Sequence, residues 1–306
     1  MSLLGLVTCL VAAADAPPAA AAASEPVTVK VGIYVLNVGK FDLLTGSYTV
    51  DFYLDMTTVP AGQDMGDAKF EFINGRATST DKLIDTPGEK FYRVQANLQT
   101  NVDMRLFPWD SHDLPIIIEP ANRGKKSLVY VLDEAQSGVD PDVTFVGWNL
   151  LGQSARLRDH EYKVYGETYS QYVYTLSIGR LKFMSTLKTF VPVLVFLLIS
   201  MVSLLVALEK LDSRVGLNTA MLIASVMFHM SISAQMPPAG YLTIADKVMI
   251  ATYGSIGINL LFTVQLMRMM QQKRDDAAKA FRELCFKLMP GIAGFAYLIV
   301  VASSLF

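Results

Sequence analysis

Charge is scarce in this chain, and so are cysteine and histidine. Charged residues make up 18% of its 306 residues, while hydrophobic ones reach 52%, a balance that a soluble protein of this length rarely needs. Two cysteines cannot build a disulfide framework. Cys9 lies in an apolar leader and Cys285 at the start of the last apolar stretch, so a bridge between them is not expected. The three histidines are scattered. There is no Cys/His metal spacing, no nucleophile elbow and no phosphate loop, so the chain reads as a non-enzyme that needs no metal or other cofactor. With no basic patch and a net charge of −2, nucleic acid is not an expected partner.

What the sequence has instead is four stretches free of charge, at 189–208, 215–245, 248–267 and 288–306. At 1.5 Å per residue, a helix needs about 20 apolar residues to cross the hydrocarbon core. The second stretch is too long for one straight span, and Pro237, Pro238 and Gly240 mark a turn inside it. Four membrane helices are therefore expected, at about 183–208, 214–236, 243–268 and 281–305.

Residues 1–25 resemble a secretory signal, with an apolar core at 3–13 and an alanine run offering small-residue cleavage sites. They lack the usual basic start, since Lys30 is the first cation. From 27 to 178 the pattern is β. Val27, Val29, Val31, Ile33 and Val35 occupy alternate positions, as do Tyr48, Val50, Phe52 and Leu54, and 172–178 alternates again. Period-two alternation over short strands separated by turns predicts an antiparallel sandwich with one wet face over 26–180. A helical domain over 181–306 follows with almost no linker.

The segment between the third and fourth helices carries Arg268, Lys273, Arg274, Lys279, Arg282 and Lys287 against Asp275, Asp276 and Glu283. The turn between the second and third holds only Asp246 and Lys247. The positive-inside rule puts the basic linker in the cytoplasm and the sandwich outside, as an exported leader also implies.

Several motifs now fall in a telling order. They are Gly32-Ile33-Tyr34 with Asp42; Arg105-Leu106-Phe107-Pro108-Trp109-Asp110; Gly147-Trp148; Arg180; Pro192; Arg214 through Met236-Pro237 to Tyr241; and Tyr253-Gly254-Ser255-Ile256. In that order, ahead of and within four helices, they resemble the pentameric ligand-gated ion channels (the Cys-loop receptor superfamily), in the prokaryotic branch that lacks the loop cysteines. The resemblance covers nearly the whole mature chain. It implies a homopentamer, each subunit joined by four further copies, in a bacterial inner membrane with the sandwich periplasmic. Its partners would be the lipid bilayer, permeant ions and an unidentified small extracellular ligand bound between sandwiches. It also implies that Asp42, Phe107, Pro108 and Asp110 press on Pro237 and Tyr241 to transmit the signal. The residues add a physical reason, because Arg180 could fork between the carboxylates of Asp42 and Asp110.

The matched second helix puts Gly216, Ala220, Ile223, Met227, Met230 and Ala234 on the pore, at spacings that keep one helical face. That face is wholly apolar and would close by dewetting around Ile223 to Met230. Asn218, Ser225 and His229 then hydrogen-bond neighbouring helices, with a pH-sensing role for His229 as the alternative. Asp212 occupies the region where cation-selective relatives carry acids, which points to cations. Arg214 and Glu209 are expected to pair or to face the headgroups.

The ligand site departs most from the family. Thr58 replaces an aromatic and Gly66-Asp67-Ala68 replaces a Trp-x-Pro. Tyr162, Tyr165 and Tyr169, in the hairpin resembling the agonist-capping loop, either supply a cation–π wall or are ordinary strand tyrosines. A membrane-tethered sensor of the same fold, with little conductance, is the alternative function. No inverted helix repeat points to a secondary transporter.

Overall fold

A computed structural model describes residues 25–304. The expected leader lies outside the described residues except for Glu25, as does Cys9. Ten strands come first: β1 (Val27–Val38), β2 (Ser47–Val59), β3 (Phe70–Phe72), β4 (Gly75–Asp85), β5 (Glu89–Gln99), β6 (Ser111–Pro120), β7 (Leu128–Leu132), β8 (Gly138–Val139), β9 (Trp148–Tyr162) and β10 (Glu167–Arg180). Helices α1 (Lys182–Val202), α2 (Leu211–Ser233), α3 (Ile244–Gln271) and α4 (Asp275–Ser304) follow.

The strands form two sheets, one ordered β4-β5-β2-β1-β7 with β8 also on β1, the other β3-β6-β10-β9. The alternation read from β1 and β2 is what fills the space between them. Val29, Val31, Ile33 and Val35 point inward beside Phe52, Leu54 and Met56, all fully buried, and meet Leu114, Ile116, Ile118, Leu176 and Ile178 from the facing sheet.

Two expectations need correction. The sandwich is not wholly antiparallel, because β1 runs parallel to both β7 and β8. The chain reaches β7 by crossing over from β6 in the other sheet, so no tight hairpin imposes an antiparallel pairing there. Nor does β10 keep a wet face. It lies between β6 and β9, and its outward Gln171, Val173 and Thr175 are buried along with its inward residues.

The four helices are each long and apolar enough to cross a membrane. Their ends differ from the expected ones. After Val202, α1 gives way to short 3-10 turns at Ser203–Leu205 and Leu208–Lys210. The basic linker is largely helical, since α3 runs to Gln271 and α4 starts at Asp275. Asp275 and Asp276 in the first turn of α4 favour that early start by meeting the positive end of the helix dipole. Helix α3 begins in a capping box. The Thr243 hydroxyl accepts the Asp246 N–H, and the Asp246 carboxylate accepts the Thr243 N–H.

Candidate functional site

Strand β10 ends at Arg180 and α1 begins at Lys182, so the sheet feeds directly into the bundle, and Arg180 sits at the seam. Its Nε and Nη2 donate to Asp110 Oδ1 and Oδ2 at 2.8 and 2.9 Å, the bidentate fork that only a guanidinium makes. The guanidinium lies over Trp148 at 4.6 Å and over Phe107 at 5.1 Å, so it makes cation–π contacts with two rings. On its other side Asp110 Oδ2 meets His112 Nε2 at 2.8 Å. His112 is itself packed against Phe41 and Trp148, which also touch each other. Burial acts to raise the Asp110 carboxyl, but the hydrogen bonds from His112 and Arg180 outweigh it and hold the group at about 2.

The expected three-residue cluster is therefore corrected at one corner. Asp42 forms no ion pair with Arg180 among the described residues. Its Oδ1 accepts the Leu44 N–H at 2.9 Å, closing a local turn. The loop it belongs to reaches the junction through Leu43 instead. The third member beside Asp110 and Arg180 is His112, two residues after Asp110 on an extended strand and so on the same face. That spacing is visible in the sequence, where Asp110 and His112 stand two residues apart.

The loop before Asp110 caps the helices below it. The Arg105 and Phe107 carbonyls accept the Ile244 and Ala245 N–H groups at 3.2 and 3.3 Å, satisfying donors that the start of α3 would otherwise leave open. The Met104 N–H donates to the Tyr241 hydroxyl at 2.8 Å, and Arg105 lies over the Tyr241 ring. Met104 packs with Ile232 and Met236, flanked by Leu43, Phe107 and Tyr241. Pro108 is buried, and Pro237 is half-buried just after Met236. Trp109 donates to Thr186 on α1 at 2.8 Å. The structure thus brings Asp110, Arg180, Phe107 and Tyr241 into one contiguous junction.

Along α2 the two faces differ sharply. Gly216, Ala220, Ile223, Met227, Met230 and Ala234 are all exposed in the single chain, while Asn218 and Ser225 are 0% exposed. Asn218 joins three helices, accepting from Ser200 at 2.7 Å, donating to Ser203 at 3.0 Å and accepting from Asn259 at 3.1 Å. His229 contacts Tyr253 at 2.8 Å and Asp246 at 2.7 Å, both on α3. Ser225 differs from expectation, because its hydroxyl bonds back to Leu222 within α2. Arg214 differs more. It is fully buried, and among the described residues its guanidinium has no hydrogen-bond partner, neither Glu209 nor any other. Asp212 is exposed in the first turn of α2.

The three hairpin tyrosines do gather. Tyr162 meets Tyr169 edge-on at 5.5 Å and Tyr165 at 6.4 Å, with Tyr165 exposed at the turn. Gly166 follows at φ 63°, which lets the chain turn back into β10. The Tyr162 hydroxyl is not free. It donates to buried Glu119 at 2.6 Å, and burial followed by that bond pushes its pKa up. Glu119, His160 and Gln171 were missed in the sequence, because only the strand register brings β6, β9 and β10 together there.

A sandwich of two sheets feeding four membrane-length helices defines a multi-pass membrane protein with a folded N-terminal domain. No protein-family model matches the chain. It is 23% identical over 254 residues to a proton-gated ion channel of Gloeobacter violaceus, covering 76% of this chain and 70% of that protein. It is 25% identical over 170 residues to the neuronal acetylcholine receptor subunit alpha-10 of Homo sapiens, covering 55% of this chain but only 37% of the human subunit. Both similarities support a place among the pentameric ligand-gated ion channels, and neither relative is an enzyme.

Proposed function

We propose that this chain is the subunit of a homopentameric channel in a bacterial inner membrane, with the sandwich periplasmic. An unidentified extracellular ligand or protons open it. Five copies of α2 line the path with Gly216, Ala220, Ile223, Met227, Met230 and Ala234. Ile223 to Met230 form the closed gate, Asp212 rings favour cations, and the Asp110–Arg180 junction carries the signal from sandwich to helices. One observation carries this reading. The apolar face of α2 is left uncovered by its own chain, while Asn218 and Ser225 on the opposite face are 0% exposed. Lipid tails are as apolar as that face, so its exposure alone does not require cover; an assembly that turns it towards a central axis accommodates it while the polar face stays bonded within the bundle.

The relative named as proton-gated supports the proton as one ligand class, and the subunit named as an acetylcholine receptor supports a small ammonium ligand as another. Purified protein in planar bilayers, challenged with acid and with small amines, tests the proposal. Stepwise unitary currents are expected, with fivefold particles in images of the same preparation. Ligand-dependent change without any current would leave only a membrane-tethered sensor of this fold.

A further inference from the structure

Each of the three histidines in this chain contacts a carboxylate: His112 with Asp110, His160 with Glu119 and His229 with Asp246. The His160 pair stands apart. Glu119 is 1% exposed, and among the described residues its one ion-pair partner is His160. Arg158 is close but spoken for, because its Nε and Nη2 both donate to Gln171 Oε1, at 3.0 and 2.6 Å. That fork fixes which way the Gln171 amide points. Its Nε2 then faces Glu119 Oε2 at 2.8 Å and His160 Nδ1 at 2.9 Å. These two acceptors are only 3.1 Å apart, too close for both N–H bonds of one planar amide to aim at them.

Two bond sets follow. With Nδ1 bare, the Gln171 amide can aim squarely at only one of imidazole and carboxylate, and the buried Glu119 charge lacks a counter-charge. With Nδ1 protonated, the imidazolium donates to Glu119 and Gln171 releases the ring. We propose that Glu119, His160 and Gln171 form a proton-binding site at the root of the β9–β10 hairpin. Uptake of one solvent proton at His160 Nδ1 replaces the Gln171–His160 bond with a His160–Glu119 ion pair. This rests on the channel reading and names the proton as a ligand.

The surroundings fit. The His160 side chain is 33% exposed, against 1% for His112 and 21% for His229, so it has the most direct access to solvent protons. Glu71 on β3 lies opposite Glu119 in register and adds negative charge. Asp159, paired with Lys125, neighbours His160 in sequence and falls on the other face of β9. Tyr169 on β10 faces His160 in register. The phenols of Tyr162 on β9 and Tyr130 on β7 are pushed up, by burial first and then by Glu119, and stay neutral. Acid therefore ties the hairpin that carries Tyr162 and Tyr165 more firmly to β6.

The test uses full-length protein in lipid nanodiscs and planar bilayers. Hydrogen exchange at 161–168, corrected for intrinsic rates, is followed from about pH 8 to about pH 5, the range in which imidazoles titrate. Protection should rise with acid in the native chain. It should become independent of pH in His160→Gln and in Glu119→Gln, which keeps the shape and removes the charge. Acid-evoked current should be lost or its midpoint moved by about one pH unit or more. Native hairpin protection that ignores pH, or native pH dependence surviving in both variants, overturns the site. If the exchange switch behaves as expected and no current flows at any pH, the channel reading fails and the proton site stands.

Discussion

At the scale of single residues, Asp110 holds the junction together. A carboxyl held at about 2 where 3.8 is ordinary corresponds to about 2 kcal/mol favouring the ionised form in the folded protein. The folded value is depressed, so this stability is fully present above about pH 4 and is lost as pH falls from there through about 2. Thermal unfolding of Asp110→Asn is expected to show a loss of about 2–4 kcal/mol at neutral pH, because it strands Arg180 against two aromatic rings without its carboxylate. The difference from the native chain should shrink below about pH 3, as the native carboxyl also becomes neutral. Arg180→Lys should recover only part of the native stability, since an ammonium cannot fork across both Asp110 oxygens. Equal stability of Arg180→Lys and the native chain would show that the fork is unimportant. Any response to mild acid must arise elsewhere, which directs attention to the histidines.

At the scale of elements, α2 presents two unlike faces. Its polar face is tied into α1 and α3 through Asn218. Asn218→Ala should lower bundle stability by about 0.6–2 kcal/mol, the range found for hydrogen bonds between membrane helices, read as detergent thermal stability. Its apolar face should respond differently. Ile223→Ser is expected to raise basal current at equal surface expression, because a hydroxyl ring eases hydration of a narrow apolar path. An unchanged basal current would argue against a hydrophobic gate. These faces were legible in the sequence because helical spacing alone separates Gly216, Ala220 and Ile223 from Asn218 and Ser225. The burial of Arg214 was not, since its charge and its place near a helix end both argued for water or headgroups. Asp42 misled for a related reason. Its place in the motif was recognised, but whether a carboxylate reaches across or folds back on Leu44 depends on one turn.

At the scale of the whole molecule, composition and order determined the architecture. Four charge-free stretches after an alternating region leave few alternatives to a sandwich above a bundle. Cross-strand contacts were the part that sequence could not supply. Glu119, His160 and Gln171 come from three strands, and nothing in their spacing announces that they meet. Assembly adds the last level. With Asp212 exposed at the start of α2, five copies would ring one end of the path with acid, and reversal potentials in a salt gradient should favour cations. Asp212→Asn should reduce that preference. Chloride selectivity, or no change in the variant, would remove Asp212 from this role. The most direct measurement is block of current in planar bilayers by a water-soluble thiol reagent, with cysteine placed in turn along α2. Block at Ile223→Cys and Met227→Cys is expected, with silence at Asn218→Cys and Ser225→Cys. Block at Asn218→Cys and Ser225→Cys with silence at the other two would mean that the helix presents its opposite face to the ions.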